Sequence, residues 1–583
     1  MSGISGRAWL GLVLLALLSY FQYPGHIYLE SDTQIYVPMF ERFENLGLLG
    51  RDPMAVRAHT AFTLYDELVR AARRVTGLPL EAALGVLHVV VRVTLLAGVF
   101  LITRAMGLSE GLALACAGVY ALGGVVRGPS VLLVEYEPVP RAFALGPVAL
   151  GIGFAAHRRY LAAGLAGAAA FLLHATTAAP FWAVYAVLLF VPDEPEEMKA
   201  RLRGLMPLAA AALALKVAAA LQPGVGEPQA LLGRVDEAWE RLLRMRAAYV
   251  WVSEWPSIYF WQYAAMLAAA AAAYWRLRHF IQPVLRFFVT GLVALGVASL
   301  PVSYLLLEKL KGAMLPQIQP LRTILFLEMF TMLLALVMAF ELACKQQRPA
   351  AAAWWAALAL AVGVDARLLF VLAPVAIAWL SSSPWRWAGV AAAGAIAWSK
   401  PFGMALWKES YRGELLVVLL LAAGMGTAAS LLVRRRAAGA AMAAVVIAAF
   451  FLIPGKARFH WSGQPQNPEL GAVSDWARWQ TDVNAVFLFA DAGRGIDPGI
   501  FRARAARALY VDWKGGGQMN FFHEFSRIWW FRWQETLAEP FRAERLPRFR
   551  ELGIDYVVLS PKSRLPDRPP VFENSKYLLY YLR

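Results

Sequence analysis

As far as about residue 454, the chain returns again and again to apolar runs long enough to approach a bilayer crossing, and that pattern limits what it can be. In hydrocarbon every backbone N–H and C=O must be satisfied within the protein, so such runs fold as helices and pack into a bundle. A crossing takes about 20 apolar residues. The runs are 8–23, 83–103, 109–127, 141–156, 160–176, 178–192, 205–221, 257–275, 286–306, 322–343, 350–364, 367–382, 385–400, 413–433 and 437–454. The stretch 350–382 suits a tight hairpin or a re-entrant pair. The chain is 59% hydrophobic and 16% charged, against about 45–50% and about 25% in soluble domains. The expected fold class is therefore mainly α. Residues 1–454 form a polytopic transmembrane bundle of about 13–15 spans, and 455–583 form a small extracytoplasmic α/β domain.

A net charge of +16 over 583 residues does not imply nucleic acid, because polytopic proteins collect Lys and Arg in cytoplasmic loops. No basic stripe interleaved with aromatics is present, so no nucleic-acid partner is expected. The two cysteines, Cys116 and Cys344, fall in or beside separate spans; neither a disulfide nor a zinc site is expected. Arg7 precedes the first apolar run, no small-x-small cleavage site follows it, and Tyr20, Phe21 and Tyr23 read as an interfacial anchor. The first run is thus an uncleaved span.

Orientation follows from the short loops. The clusters at 157–159, 199–203, 276–279 and Arg434-Arg435-Arg436 all fall on one side when the N-terminus is inside and the spans alternate. The expected location is a bacterial inner membrane, with the N-terminus cytoplasmic and the C-terminal domain periplasmic or extracellular. Four segments then lie outside: 24–82, 128–140, 222–256 and 455–583. In the first, Tyr36, Met39, Phe40, Phe43 and Leu46 recur at helical spacing, which predicts an amphipathic helix lying on the membrane surface. Residues 229–251 are expected to be helical. In the tail, 483–490, 508–513, 555–560 and 577–582 read as strands, and the regions around Trp476 and 501–508 as helices.

Acids at the outer edge of such a bundle are costly to keep and mark candidate sites. Glu30 and Asp32 point the same way if their segment is extended, and could hold a metal or leave one acid as a base. Asp32 could equally cap the helix starting near Thr33. Glu135 and Glu137 repeat the spacing, stiffened by Pro138 and Pro140. Arg141 could grip a phosphate, pair internally with Glu137 or snorkel. His174, at a span end, could bind an anion, shuttle a proton or anchor its helix. Arg322 opens a span from outside, where a helix N-terminus with an adjacent Arg suits phosphate, or else anchors at the interface. Arg92, inside a span, is expected to face the interior and pair with an acid. Lys514 follows Asp512-Trp513 and precedes Gly515-Gly516-Gly517, where glycines allow close backbone approach and aromatic rings suit sugar faces. The alternative is a strand end and a turn, with Trp529, Trp530 and Trp533 packing a helix onto the bundle.

This arrangement resembles the GT-C superfamily of polytopic membrane glycosyltransferases. The likeness lies in an N-in first span, a long first outer loop with an early Asp, a second acidic outer loop and a C-terminal extracytoplasmic domain. The segment Ser31-Asp32-Thr33-Gln34-Ile35-Tyr36-Val37-Pro38 and the tail patterns Arg507-Ala508-Leu509-Tyr510-Val511-Asp512-Trp513-Lys514 and Gly553-Ile554-Asp555-Tyr556-Val557-Val558-Leu559 are similar to uncharacterised bacterial members. The resemblance implies glycosyl transfer from a polyprenyl-phosphate-linked sugar to a glycan, lipid or protein acceptor on the outer face. It makes Asp32 the base or acceptor-orienting acid and Arg141 and Arg322 candidates for the donor phosphate; Glu30, from its spacing, is the second catalytic candidate. Glu135, Glu137, Arg141, His174, Arg322 and Lys514 become substrate-binding candidates. Glu135-Tyr136-Glu137 looks like the second acidic motif with which oligosaccharyltransferases hold a divalent metal. Mg or Mn is therefore the one cofactor candidate, with no third ligand identifiable, and the absence of a WWD-type motif argues against protein N-glycosylation. The competing classes are a transporter or flippase for a lipid-linked or envelope precursor, for which Arg92 and Asp365 are the residues to press, and a non-catalytic envelope-assembly scaffold. The scaffold reading predicts no pocket joining Asp32 to Arg322.

Overall fold

A computed structural model describes residues 4–57, 63–191, 195–221, 233–381, 384, 386–398, 409–432, 437–453 and 467–583. Of the described residues 72% are helical, which makes this a mainly α membrane fold. Among the described residues, six helical stretches are long and apolar enough to cross a membrane by length and composition: Leu80–Ala105, Tyr160–Leu188 (which is broken at His174), Pro195–Leu221, Pro283–Lys309, Leu315–Cys344 and Arg412–Leu432. Shorter apolar helices, among them Gly6–Phe21, Pro140–Ala156 and Ala438–Leu452, pack between them. Each apolar run proposed from the sequence coincides with a helix among the described residues. The run 109–127 is the most shortened. Its helix ends at Tyr120 and the chain turns into a hairpin of Val125–Val126 against Val131–Leu132.

Two spans meet in a hairpin at His174. The helical stretch Tyr160–Leu188 is broken there by an extended residue (φ −162°, ψ 92°). Its halves then run back on each other, with the Trp182 indole N–H donating to the Gly167 carbonyl at 3.1 Å. The His174 ring accepts from the Thr177 amide at 3.3 Å, so it caps the returning half. The stretch 350–382 is also an antiparallel hairpin. Arg348 ties its open end by donating to the carbonyls of Trp379, Leu380 and Ser381.

The basic loops converge on one end of the bundle. Arg158 pairs with Glu197 at 3.0 Å, Ser5 bonds Glu110 at 2.9 Å, and the Gln282 amide donates to Ala105. Arg434-Arg435-Arg436 lie outside the described residues, as do 222–232 and 454–466. At the opposite end sit the segment carrying Thr33–Glu44, which the sequence places outside, the hairpin at 125–132, the His174 turn, helix Glu237–Arg246 and the C-terminal domain. That domain is a mixed sheet with Val486–Phe489 at its parallel centre, flanked by Ala508–Leu509 and Tyr556–Leu559; Leu578–Tyr581 and Phe572–Glu573 continue it antiparallel. Helices Pro468–Gln480, Asp497–Ala505 and His523–Thr536 complete it.

Three expectations are corrected. Helix Thr33–Glu44 does not lie on a membrane surface: it is sandwiched between the bundle and the C-terminal domain. Ile35 and Met39 join one apolar cluster with the domain, while Val37 and Phe40 join another with Leu84, Phe143 and Phe501. Its apolar stripe is therefore covered by protein. The tryptophans of His523–Thr536 pack inside the domain rather than onto the bundle, with Trp529 and Trp533 set against Trp513 at 6.0 and 5.2 Å. Arg92 does face the interior, but its partners are not acids. It donates to the carbonyls of Ser19, Gly25 and Glu135 and to the Ser19 hydroxyl, pinning the first span to the second acidic loop.

Candidate functional site

Asp32 stands where a helix cap would stand, but another residue does the capping. The carboxylate of Glu137, itself 1% exposed, accepts from the amides of Ser31 and Asp32, both at 2.6 Å, and from the Thr33 hydroxyl at 2.8 Å. An anion at a helix N-terminus satisfies otherwise unpaired amides and meets the positive end of the helix dipole. Asp32, thus relieved, makes no side-chain capping bond. It turns to two cations: Arg141 at 2.5 Å and Lys514 at 2.7 Å. Its side chain is about one quarter exposed. Burial acts to raise its pKa, but Lys514 and then Arg141 outweigh that and hold the carboxyl well below the usual range. Lys514 also donates to the Ser31 hydroxyl at 3.0 Å.

Arg141 opens helix Pro140–Ala156 and is shared. Its Nε and Nη2 hold Glu135 at 2.6 and 3.2 Å while its Nη1 reaches Asp32. The internal partner is thus Glu135, not Glu137. Arg322 sits in the 3-10 turn Pro320–Ile324 that leads into Leu325–Cys344. Among the described residues it makes no ion pair, and its Nε has no hydrogen-bond partner.

One cavity of about 470 Å³ brings these groups together. Asp32, Arg141, His174, Arg322 and Lys514 line it, with Arg246 and Tyr249 from the third outer segment. Four cations thus share the lining with one acid, so the cavity wall is net positive. An apolar cleft of about 30 Å³, walled by Leu145, Pro180 and Phe326, adjoins it through the shared residues Arg141, Thr176 and Arg322. Glu30 stands apart. Residues 28–31 are bent rather than extended, so the alignment expected of an extended segment does not apply; Glu30 is exposed and outside the lining. Glu135 lines the apolar cleft behind Arg141, and Glu137 lines neither space.

The C-terminal domain supplies the roof, and buried ion pairs hold it. Arg502, 1% exposed, pairs with Asp512 at 2.6 Å and lies 3.7 Å from Asp52 of the first outer loop. Asp512 accepts from the Gly515 amide, and its carbonyl accepts from the Trp529 indole, which fixes the turn carrying Lys514. A side chain at Gly516 would meet that indole at 2.7 Å, so close approach requires glycine. Arg246 donates to the Trp513 and Lys514 carbonyls at 2.9 and 3.2 Å and lies over the Trp513 ring. Burial lowers its pKa from the ordinary arginine value.

The donor set does not fit a divalent cation as arranged. Asp32 and Glu135 are engaged by arginine and lysine, and Glu137 by backbone amides. Among the described residues no group of three or more His, Cys, Asp or Glu could hold a metal. Sequence reasoning missed Arg246, Tyr249, Gln319, Gln518 and Asn520, all in the cavity wall. The position of Gln518 and Asn520 just beyond the glycine triplet was the available signal.

No family model matches the chain, and no curated protein matches it. Among solved structures, the chain is similar to the arabinofuranosyltransferase AftD from Mycobacteria, seen by single-particle cryo-EM, at 14% identity and a TM-score of 0.41. The match covers 96% of this chain and 37% of that one, so the chain spans little more than a third of its length.

Proposed function

We propose that the protein is a membrane glycosyltransferase that moves a sugar from a polyprenyl-phosphate-linked donor to an acceptor at the outer end of the bundle. The observation that carries this reading is the shared cavity: Asp32 and Arg322 line one space with Arg141, Arg246 and Lys514. A pure scaffold has no need of it. The residues that favoured a transporter are otherwise engaged, Arg92 with carbonyls and Asp365 with Arg367 at 2.6 Å and Arg127 at 3.7 Å.

The donor phosphate enters among the cations, with its chain leaving through the apolar cleft beside Arg322. That cleft must widen to take an isoprenoid, since about 30 Å³ holds about one water. The bond from the anomeric carbon to the phosphate oxygen breaks as the acceptor oxygen bonds to that carbon. The phosphate leaves with the electron pair, and the acceptor's proton passes to Asp32. Arg322 and Arg141 stabilise the charge that develops on the leaving phosphate. In the free protein Asp32 is a weak base, because Lys514 and Arg141 neutralise it. A bound phosphate competes for those same cations and so restores basicity to Asp32 when there is something to deprotonate.

The test is transfer of labelled sugar from a panel of polyprenyl-phosphate donors by the full chain in nanodiscs. Asp32→Asn and Arg322→Ala should each lose transfer by at least about a hundredfold while remaining folded, with Asp32→Asn also giving up the stability of its pairing with Lys514 and Arg141. Full activity in both folded variants would sink the assignment.

A further inference from the structure

The cavity wall carries a second chemistry besides its cations. Gln319, Gln518 and Asn520 all line it, and all are at least nine-tenths buried, at 6%, 1% and 3% exposure. In each, the carboxamide oxygen has no hydrogen-bond partner. The amide nitrogens of two are occupied: Gln518 Nε2 donates to the Arg57 carbonyl at 3.2 Å and Asn520 Nδ2 to the Tyr249 hydroxyl at 2.9 Å. A carbonyl can only accept, so Arg57 fixes the Gln518 amide with its oxygen as the unsatisfied end. Folded proteins leave few buried acceptors unmade, because each costs about 1–3 kcal/mol. Three around a single cavity call for a ligand that donates.

We infer that these three carboxamides form a hydroxyl-recognition subsite for the sugar being transferred, in the same wall as the cations that take its phosphate. This rests on the glycosyltransferase reading and names what the wall of that site recognises. A molecule that matches both linings carries an anionic head and several hydroxyl donors close together, as a glycosyl phosphate does. The volume of about 470 Å³ falls within the range of about 300–1,000 Å³ usual for small-ligand sites. A β-carbon added at Gly517 would meet no atom nearer than 3.6 Å, so there is room beside the two amides. Each oxygen is covered in the free protein, so the amides turn outward as the hydroxyls arrive, Gln518 and Asn520 giving up their bonds to Arg57 and Tyr249.

Two probes test this on the full chain in nanodiscs: sugar-free polyprenyl phosphate in a binding titration, and the glycosylated donor in initial-rate transfer. Gln518→Leu and Asn520→Leu should each lower kcat/KM for transfer about tenfold while binding polyprenyl phosphate as the wild type does. Asn520→Asp, which keeps an acceptor oxygen, should retain most of the activity that Asn520→Leu loses. Unchanged kcat/KM in both leucine variants overturns the subsite. So does an equal loss of polyprenyl phosphate binding, which would mark the residues as structural. Wild-type protein that binds no polyprenyl phosphate overturns the glycosyltransferase reading instead. Saturation-transfer NMR with free hexoses and pentoses then decides the subsite separately: signals lost in the leucine variants uphold it, and none from the wild type ends it.

Discussion

At the scale of single residues, the balance around Asp32 makes a prediction about pH. With its folded pKa depressed, Asp32 stays ionised in the free protein to below the ordinary carboxylate range. The stability it contributes is present above its unfolded pKa and is lost as pH falls through the folded value. In the donor complex the phosphate draws off Lys514 and Arg141, and the pKa of Asp32 rises. The acid limb of kcat/KM, which reports the free enzyme, should therefore lie at lower pH than that of kcat, which reports the complex. Lys514→Met should move the kcat/KM limb upward and bring the two closer. Coincident limbs in the wild type would remove the exchange of cations from the mechanism. Glu137 acts through Asp32 without touching the cavity. Glu137→Gln would set an NH2 group against a backbone N–H, costing about 1–3 kcal/mol of stability and lowering kcat more than it raises donor KM. Sequence could single out Asp32 as a candidate, since acids at a bundle edge need a reason. It could not assign Glu137, whose partners are amides and a hydroxyl 104 to 106 residues away and carry no pattern of their own.

At the scale of elements, hydrophobic run length located the helices, and the break at His174 falls close to where the sequence divides two apolar runs. The surface helix was misjudged for a reason of the same kind. An apolar stripe in Thr33–Glu44 records that one face is covered, and lipid and protein leave the same trace. Helix Tyr65–Thr76 offers a cleaner test. Asp66, 1% exposed, has its pKa raised to about 8 by burial, with Glu67 adding hydrogen bonding and charge. A carboxyl raised in the fold contributes stability that is complete below its unfolded pKa and is lost as pH climbs through about 8. Thermal unfolding from about pH 5 to about pH 9 should show that loss, and Asp66→Asn should flatten it, gaining at least about 1 kcal/mol over wild type at the alkaline end. Identical pH slopes for the two proteins would show that Asp66 ionises freely.

At the scale of the whole molecule, the site exists only where two parts of the chain meet. The bundle brings Arg141, His174 and Arg322, and the C-terminal domain brings Lys514, Gln518 and Asn520, so docking the domain assembles the cavity. Sequence could read the two parts but not their joint, because residues from distant segments compose it. The joint centres on Arg502, buried between Asp512 of its own domain and Asp52 of the first outer loop. Burial raises the pKa of Asp52, although Arg502 opposes that and the amides of Leu509 and Ala55 assist the arginine. Removing the guanidinium leaves two buried acids without their cation, a change that costs about 3–5 kcal/mol where one partner of a buried pair is lost. Arg502→Met should therefore loosen the domain while leaving the bundle helical. Hydrogen exchange should quicken in residues 508–520 and 33–44 but not in Leu325–Cys344, and transfer should fall although Asp32, Arg141 and Arg322 are intact. Uniformly faster exchange throughout would mean that Arg502 supports the fold as a whole. Exchange confined to the joint, with activity lost, is the pattern expected of a site built by docking.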